Sequence, residues 1–242
     1  MEKQAVVISR SGRPDAGCLR VEEDLIARVR AAGGRALVVP HVYYLKPGHP
    51  ALARLGSLSG AVVGTWLHPR AARWALHALG LPNADSLQCM RLDSDEFATA
   101  CSAAGFPVGN HAFAVRRMPS RPNGRPAPGD VEEIVGRPAP RWYPVIDYSR
   151  CRSCRQCVEF CLFGVYSEED GRAAAVRPDA CKTGCPACAR VCPHGAIIFP
   201  ECDEPAIAGA EPQTPAAPQP AAAPRDPADG IDALIDELER LD

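Results

Sequence analysis

The chain has 242 residues, 46% of them apolar, and a formal net charge of −2. That balance gives no electrostatic reason to expect nucleic acid or an anionic membrane surface as a partner. No stretch is long and apolar enough to span a bilayer, and the opening "MEKQAVVISR" lacks the basic start, apolar run and small-residue cleavage site of a secretion signal, so a cytoplasmic protein is expected. Twelve cysteines in such a chain point to metal ligands rather than to a disulfide framework.

In chain order, "AVVIS" is a short β-branched run that reads as a buried strand. Val21, Leu25, Ile26 and Val29 recur at helical spacing between Cys18 and Ala32, and Gly33 and Gly34 end that helix. The pattern then repeats: strand "RALVVP", helix "PALARLGSL", strand "GAVVGTW", helix "PRAARWALHALG", a weaker helix over Ser94 to Ala104, and strand "HAFAV". Buried strands alternating with amphipathic helices predict an α/β domain over residues 1–115, a parallel sheet with helices on both faces.

In open α/β sheets, ligands sit outside the carboxyl ends of the strands. The loops there gather Arg10, Ser11, Arg13, His41, Tyr43, Tyr44, Trp66, His68 and Arg70. Arginines and backbone N–H groups for charge, with aromatic rings for stacking, suit a planar anionic ligand such as flavin, a tetrapyrrole or a nucleotide. "SRSG" resembles the phosphate loop of flavodoxins, with Pro14 where a last Thr would stand, and the outline resembles tetrapyrrole metal chelatases. The alternative is that these residues finish loops and cap helices. Cys18 stands near a helix N-terminus, where a thiolate is favoured; Cys89 and Cys101 read as small buried hydrophobes.

Residues 116–141 are crowded with Pro and Gly and read as an irregular linker. Residues 142–202 carry the chemistry. "CRSCRQCVEFC" places Cys151, Cys154, Cys157 and Cys161 in eleven residues, and "CKTGCPACARVCP" adds Cys181, Cys185, Cys188 and Cys192. Thiolates select zinc, copper(I) or iron–sulfur clusters over hard cations. A zinc site usually takes two separated C-x-x-C knuckles. Three thiolates two residues apart instead fit three corners of one cubane, whose fourth corner must come from elsewhere.

This segment resembles a bacterial-type ferredoxin domain with two [4Fe-4S] clusters. "VIDYSRC" is similar to the strand entering the first run, and "RPDAC…CPACARVCPHGAIIF" to the second half of that family's domain. The resemblance implies that Cys151, Cys154, Cys157 and Cys192 hold one cluster, and Cys181, Cys185, Cys188 and Cys161 the other. It departs from the family in two places. Leu162 follows Cys161 where the family has Pro, which should change packing and solvent access. "KTG" lengthens the gap between Cys181 and Cys185 by one residue, which Gly184 can absorb because it tolerates positive φ. Arg152, Arg155, Lys182 and Arg190 lie between the ligands, where they either favour the reduced state or point into water. Cys202 is surplus to the eight.

Residues 203–225 read as an extended Pro/Ala linker. In residues 226–242, Ile231, Leu234, Ile235, Leu238 and Leu241 share one face of a short C-terminal helix, which could recruit a redox partner protein. The leading expectation is an iron–sulfur electron-transfer protein or subunit rather than a stand-alone enzyme. The alternatives are a redox enzyme or accessory factor whose N-terminal domain holds flavin, a tetrapyrrole or a nucleotide beside the clusters, and a zinc-binding interaction module.

Overall fold

The computed structural model describes residues 5–13, 15–104, 131–136 and 138–211. The chain begins with β1 (Val6–Ser9), α1 (Ala16–Ala31), β2 (Ala36–Val39), α2 (Pro50–Gly56), β3 (Val62–Thr65), α3 (Pro69–Ala78), β4 (Gln88–Arg91) and α4 (Asp95–Ala103). A short strand, β5 (Val131–Glu133), completes a five-stranded sheet in the order β4-β3-β1-β2-β5, parallel throughout. Strand alternation sorts the apolar side chains. Val6, Ile8, Ala36, Val38 and Val62 pack with Leu25, Ile26 and Val29 of α1 and with Phe97 of α4. Val7, Leu37, Val39 and Val63 pack with Leu55 of α2 and with Ala72 and Ala75 of α3. Helices therefore cover both faces of the sheet. The side chain that Gly64 lacks lets Phe97 press onto β3: a Cβ there would lie 2.5 Å from the Phe97 ring.

Starts and stops follow local chemistry. Asp15 caps α1 by accepting from Cys18 N at 2.7 Å, and Ser94 caps α4 by accepting from Phe97 N at 3.1 Å. Proline opens both α2 and α3. Two strands differ from the sequence reading. β4 has no continuous apolar run, because an edge strand buries little, and its first residue, Gln88, is exposed. β5 lies within the segment expected to be an irregular linker; it is the opposite edge, and Arg54 of α2 pairs with its Glu132. The expected strand "HAFAV" and the C-terminal helix fall outside the described residues.

The cysteine-rich segment follows as β6 (Val145–Ile146), α5 (Gln156–Phe160), β7 (Ser167–Glu169), β8 (Arg172–Ala174), α6 (Ala187–Val191) and β9 (Ile197–Ile198). β6 and β9 pair antiparallel, as do β7 and β8. Asp170 and Gly171, both at positive φ, make the two-residue turn of the second pair. This segment shares a core with the α/β part: Tyr143, Val145 and Ile198 belong to the same buried cluster as Val39, Tyr43 and Ala75. Tyr43 and Tyr143 stack with ring centroids 4.4 Å apart. Tyr43 Oη donates to Tyr143 O at 2.6 Å and accepts from Tyr143 N at 2.7 Å, while Tyr143 Oη donates to Tyr43 O at 3.0 Å. Packing continues past residue 202, since Ile207 and Ala208 are buried and Phe199 N donates to Ile207 O. Chain contacts gather the described residues up to Ala210 into one unit.

Candidate metal centres

The eight cysteines of the two runs separate into two groups of four. Cys151, Cys154, Cys157 and Cys192 line a small cavity of about 20 Å³, together with Ile146, Ala196 and Ile197. Cys161, Cys181, Cys185 and Cys188 line a second cavity of about 750 Å³, walled by Pro144, Phe160, Phe163, Val165 and Tyr166. The two short helices make the exchange. α5 carries Cys157 of the first group and ends at Cys161 of the second; α6 carries Cys188 of the second and ends at Cys192 of the first.

Local backbone serves this arrangement. Ser153 and Arg155, between the first three cysteines, have φ of 55° and 61°, a left-handed conformation that costs a non-glycine residue about 1–2 kcal/mol. In the longer gap, Gly184 has φ 77° and takes the turn without that cost. Tyr166 Oη donates to Cys188 Sγ at 3.1 Å, and Ala196 N donates to Cys192 Sγ at 3.4 Å. Trp142 Nε1 donates to Cys185 O at 3.3 Å while its ring stacks on Phe199. Leu162 is 93% exposed, with Phe160 and Phe163 half-exposed beside it, so the residue that stands where the resembling family has Pro forms part of an apolar rim at Cys161. Two of the four cations between the cysteines are paired with carboxylates: Arg155 with Glu168 at 2.7 Å, and Arg190 with Glu204.

As free thiols, Cys157 and Cys181 resist ionisation. Burial, then the neighbouring Cys151 and Cys192, pushes Cys157 up to about 11. Burial, then Cys188, Cys185 and Cys161, pushes Cys181 up to about 12. A positively charged metal centre reverses both effects, so loading releases protons. The donor set therefore fits a thiolate-bound group. Among the described residues, no group of three or more His, Cys, Asp or Glu gathers closely enough to hold a single metal ion. Cys202 lines neither cavity and packs among the apolar residues beside them.

The sheet-end residues meet carboxylates that sequence reading did not single out, Glu22, Glu201 and Asp147 chief among them. Buried Glu22 accepts from Ser11 N at 2.6 Å and Trp66 Nε1 at 2.8 Å, and pairs with Arg10 at 3.2 Å; Arg10 also meets Glu23 and Glu133, each at 2.7 Å. Glu201, just past β9, meets Arg13 at 3.0 Å and His41 Nε2 at 3.4 Å, and hydrogen-bonds Tyr44. Buried Asp147 accepts from Arg70 Nε at 2.7 Å, and Arg70 also donates to Gly195 O. Arg70 thus ties the strand leading to Cys151 to the turn after Cys192. Burial favours the neutral acid at Asp147, but bonds from Ser149 and Arg70 outweigh it and hold the carboxyl low. His68 is shifted down by burial and by Arg91.

A cleft of about 450 Å³ does open at the sheet end, lined by Arg10, Ser11, His41 and Tyr44. Glu22, Glu23 and Glu133 line it as well, so among the described residues it offers a phosphate little positive potential. The expectation of a favoured thiolate at Cys18 does not hold: burial raises its pKa, and the Asp15 charge adds to this against a lowering bond from Ser11. Cys101 is fully buried among apolar residues, and burial pushes both it and Cys89 up to about 12.

No protein-family model matches the chain. Two uncharacterized ferredoxins of Methanocaldococcus jannaschii are similar to it: one is 46% identical over 61 residues, the other 43% identical over 59. Those stretches cover 25% and 23% of this chain, and 42% and 94% of the respective relatives. The chain spans less than half of the first relative and nearly all of the second. It belongs to the ferredoxins through a ferredoxin-like segment of about a quarter of its length.

Proposed function

We propose that this chain is an electron-transfer protein or subunit carrying two [4Fe-4S] clusters, and that it passes electrons to or from a redox partner protein. Cys151, Cys154, Cys157 and Cys192 would hold one cluster, and Cys161, Cys181, Cys185 and Cys188 the other. The observation that carries this reading is the grouping of the cysteines: each run contributes three to one cavity and its last to the other. The ferredoxin names of the relatives support an iron–sulfur electron carrier at the coarser level. A bound cluster supplies one-electron exchange. The chain itself supplies thiolates, an apolar wall beside the second centre, and the exposed Phe160, Leu162 and Phe163 rim against which a partner can approach Cys161. A zinc-only module is less well supported, because a zinc site usually takes two separated C-x-x-C knuckles, whereas the first run spaces Cys151, Cys154 and Cys157 two residues apart with Cys161 close behind.

The test is anaerobic purification with metal and sulfide analysis. The reading predicts about eight iron and eight sulfide per chain, with a visible absorption that bleaches on reduction. A colourless protein with stoichiometric zinc would overturn it.

A further inference from the structure

We propose that Tyr166 is a positioning residue that sets the reduction potential of the centre held by Cys161, Cys181, Cys185 and Cys188, acting through the hydrogen bond from its phenol to Cys188 Sγ. This rests on the iron–sulfur reading above and goes beyond it in assigning a role to one side chain that is not a ligand.

Tyr166 and Cys188 are 7% and 8% exposed, and their polar atoms lie 3.1 Å apart. A metal-bound thiolate has no proton to give, so the phenol is the donor. The ring sits in the core formed by Ile146, Val165, Ile197 and Phe199, which fixes where the hydroxyl points. In these apolar surroundings an unpaired hydroxyl would be costly, and the sulfur is its partner. Adding an electron to a thiolate-bound cluster adds negative charge. The apolar wall of Pro144, Phe160, Phe163 and Val165 does nothing to offset that charge. A donor on the ligand sulfur does, and more strongly in the reduced state, so it raises the potential. Low local polarity strengthens the bond. The two centres differ in this respect: Cys192 Sγ, in the first group, accepts from the backbone of Ala196 at 3.4 Å. A backbone donor is present whatever the side chain, whereas the donor to Cys188 depends on residue 166 being tyrosine. The chain thus has a side-chain means of separating the two potentials.

The test is a potentiometric titration of the full, cluster-loaded chain, followed by electron paramagnetic resonance, for the natural sequence and for Tyr166→Phe. Phenylalanine keeps the ring and removes the donor. The centre with Cys188 is expected to move to a more negative potential by about a tenfold change in its oxidised-to-reduced ratio, ~59 mV for a one-electron couple, while the other centre stays in place. Its iron–thiolate stretching bands in the resonance Raman spectrum should also rise, which a loss of packing would not produce. Replacing the tyrosines by 3-fluorotyrosine makes the donor more acidic; the potential should then rise in the natural sequence and stay unmoved in Tyr166→Phe, and the first half of that comparison holds even if the phenylalanine variant assembles poorly. Unchanged potentials, or equal shifts at both centres, would overturn the proposal. Iron and sulfide measured on the same samples separate the failures: their absence overturns the cluster reading and this proposal together, and their presence with unmoved potentials overturns this proposal alone.

Discussion

Arg70 shows how far a single residue could be read. Its place after β3 made it a candidate for an anionic ligand, and its charge does find an anion, the chain's own Asp147, 77 positions later. Local sequence carries no record of such a partner, and the same holds for Arg10 with Glu22 and Arg13 with Glu201. The cysteines were legible because their spacing is itself the signal. Removing one side of a buried pair strands the other charge, so Arg70→Met should cost about 3–5 kcal/mol in stability, while Arg70→Met with Asp147→Leu should cost clearly less. Thermal unfolding of both variants checks this, and the first centre's spectrum should be lost before the second's, because Arg70 braces the segments next to Cys151 and Cys192. His41 gives a pH dependence. Burial holds it at about 4 against an ordinary 6.5, so the unfolded chain takes up that proton first as pH falls. Its contribution to stability is complete above pH 6.5 and is lost between 6.5 and about 4, at up to about 1.4 kcal/mol per pH unit. Unfolding midpoints measured across that range should fall more steeply for the natural sequence than for His41→Gln.

At the level of elements, the apolar strands and amphipathic helices of the α/β part were readable because burial on both sheet faces writes a continuous signal. β4 and β5 were not, since edge strands need little burial; β5 is three residues long. The end of the cysteine-rich segment was also hidden. "PAIAGA" looks like the start of a low-complexity linker, yet Ile207 and Ala208 are buried, Ile207 in the cluster that holds Phe199 and Cys202. A fragment spanning residues 142–202 lacks those two side chains and exposes Tyr143, Val145 and Ile198, which pack against the α/β core. It should lose bound iron faster than a fragment spanning 142–211, and both faster than the full chain. Iron transfer to a chromogenic chelator, timed for the three proteins, measures this. Equal rates would mean that the shared core contributes nothing to holding the centres.

For the whole molecule, the exchange of cysteines makes one folding unit of two short motifs. α5 and α6 each carry a cysteine of one group and end at a cysteine of the other, so on the proposed reading neither centre can form without both runs in place. Metal binding would then supply folding free energy that two five-residue helices and three-residue strands cannot. The α/β part adds a continuous core, and its Arg70 and Arg13 join it to Asp147 and Glu201 of the cysteine-rich segment. The central claim is this crossed membership, and Cys192→Ala tests it most directly. Cys192 lies four residues from Cys188 in sequence but lines the cavity of Cys151, Cys154 and Cys157. The residual iron–sulfur spectrum of Cys192→Ala should match that of Cys154→Ala, with the second centre intact. A spectrum that instead matched Cys185→Ala would contradict the account.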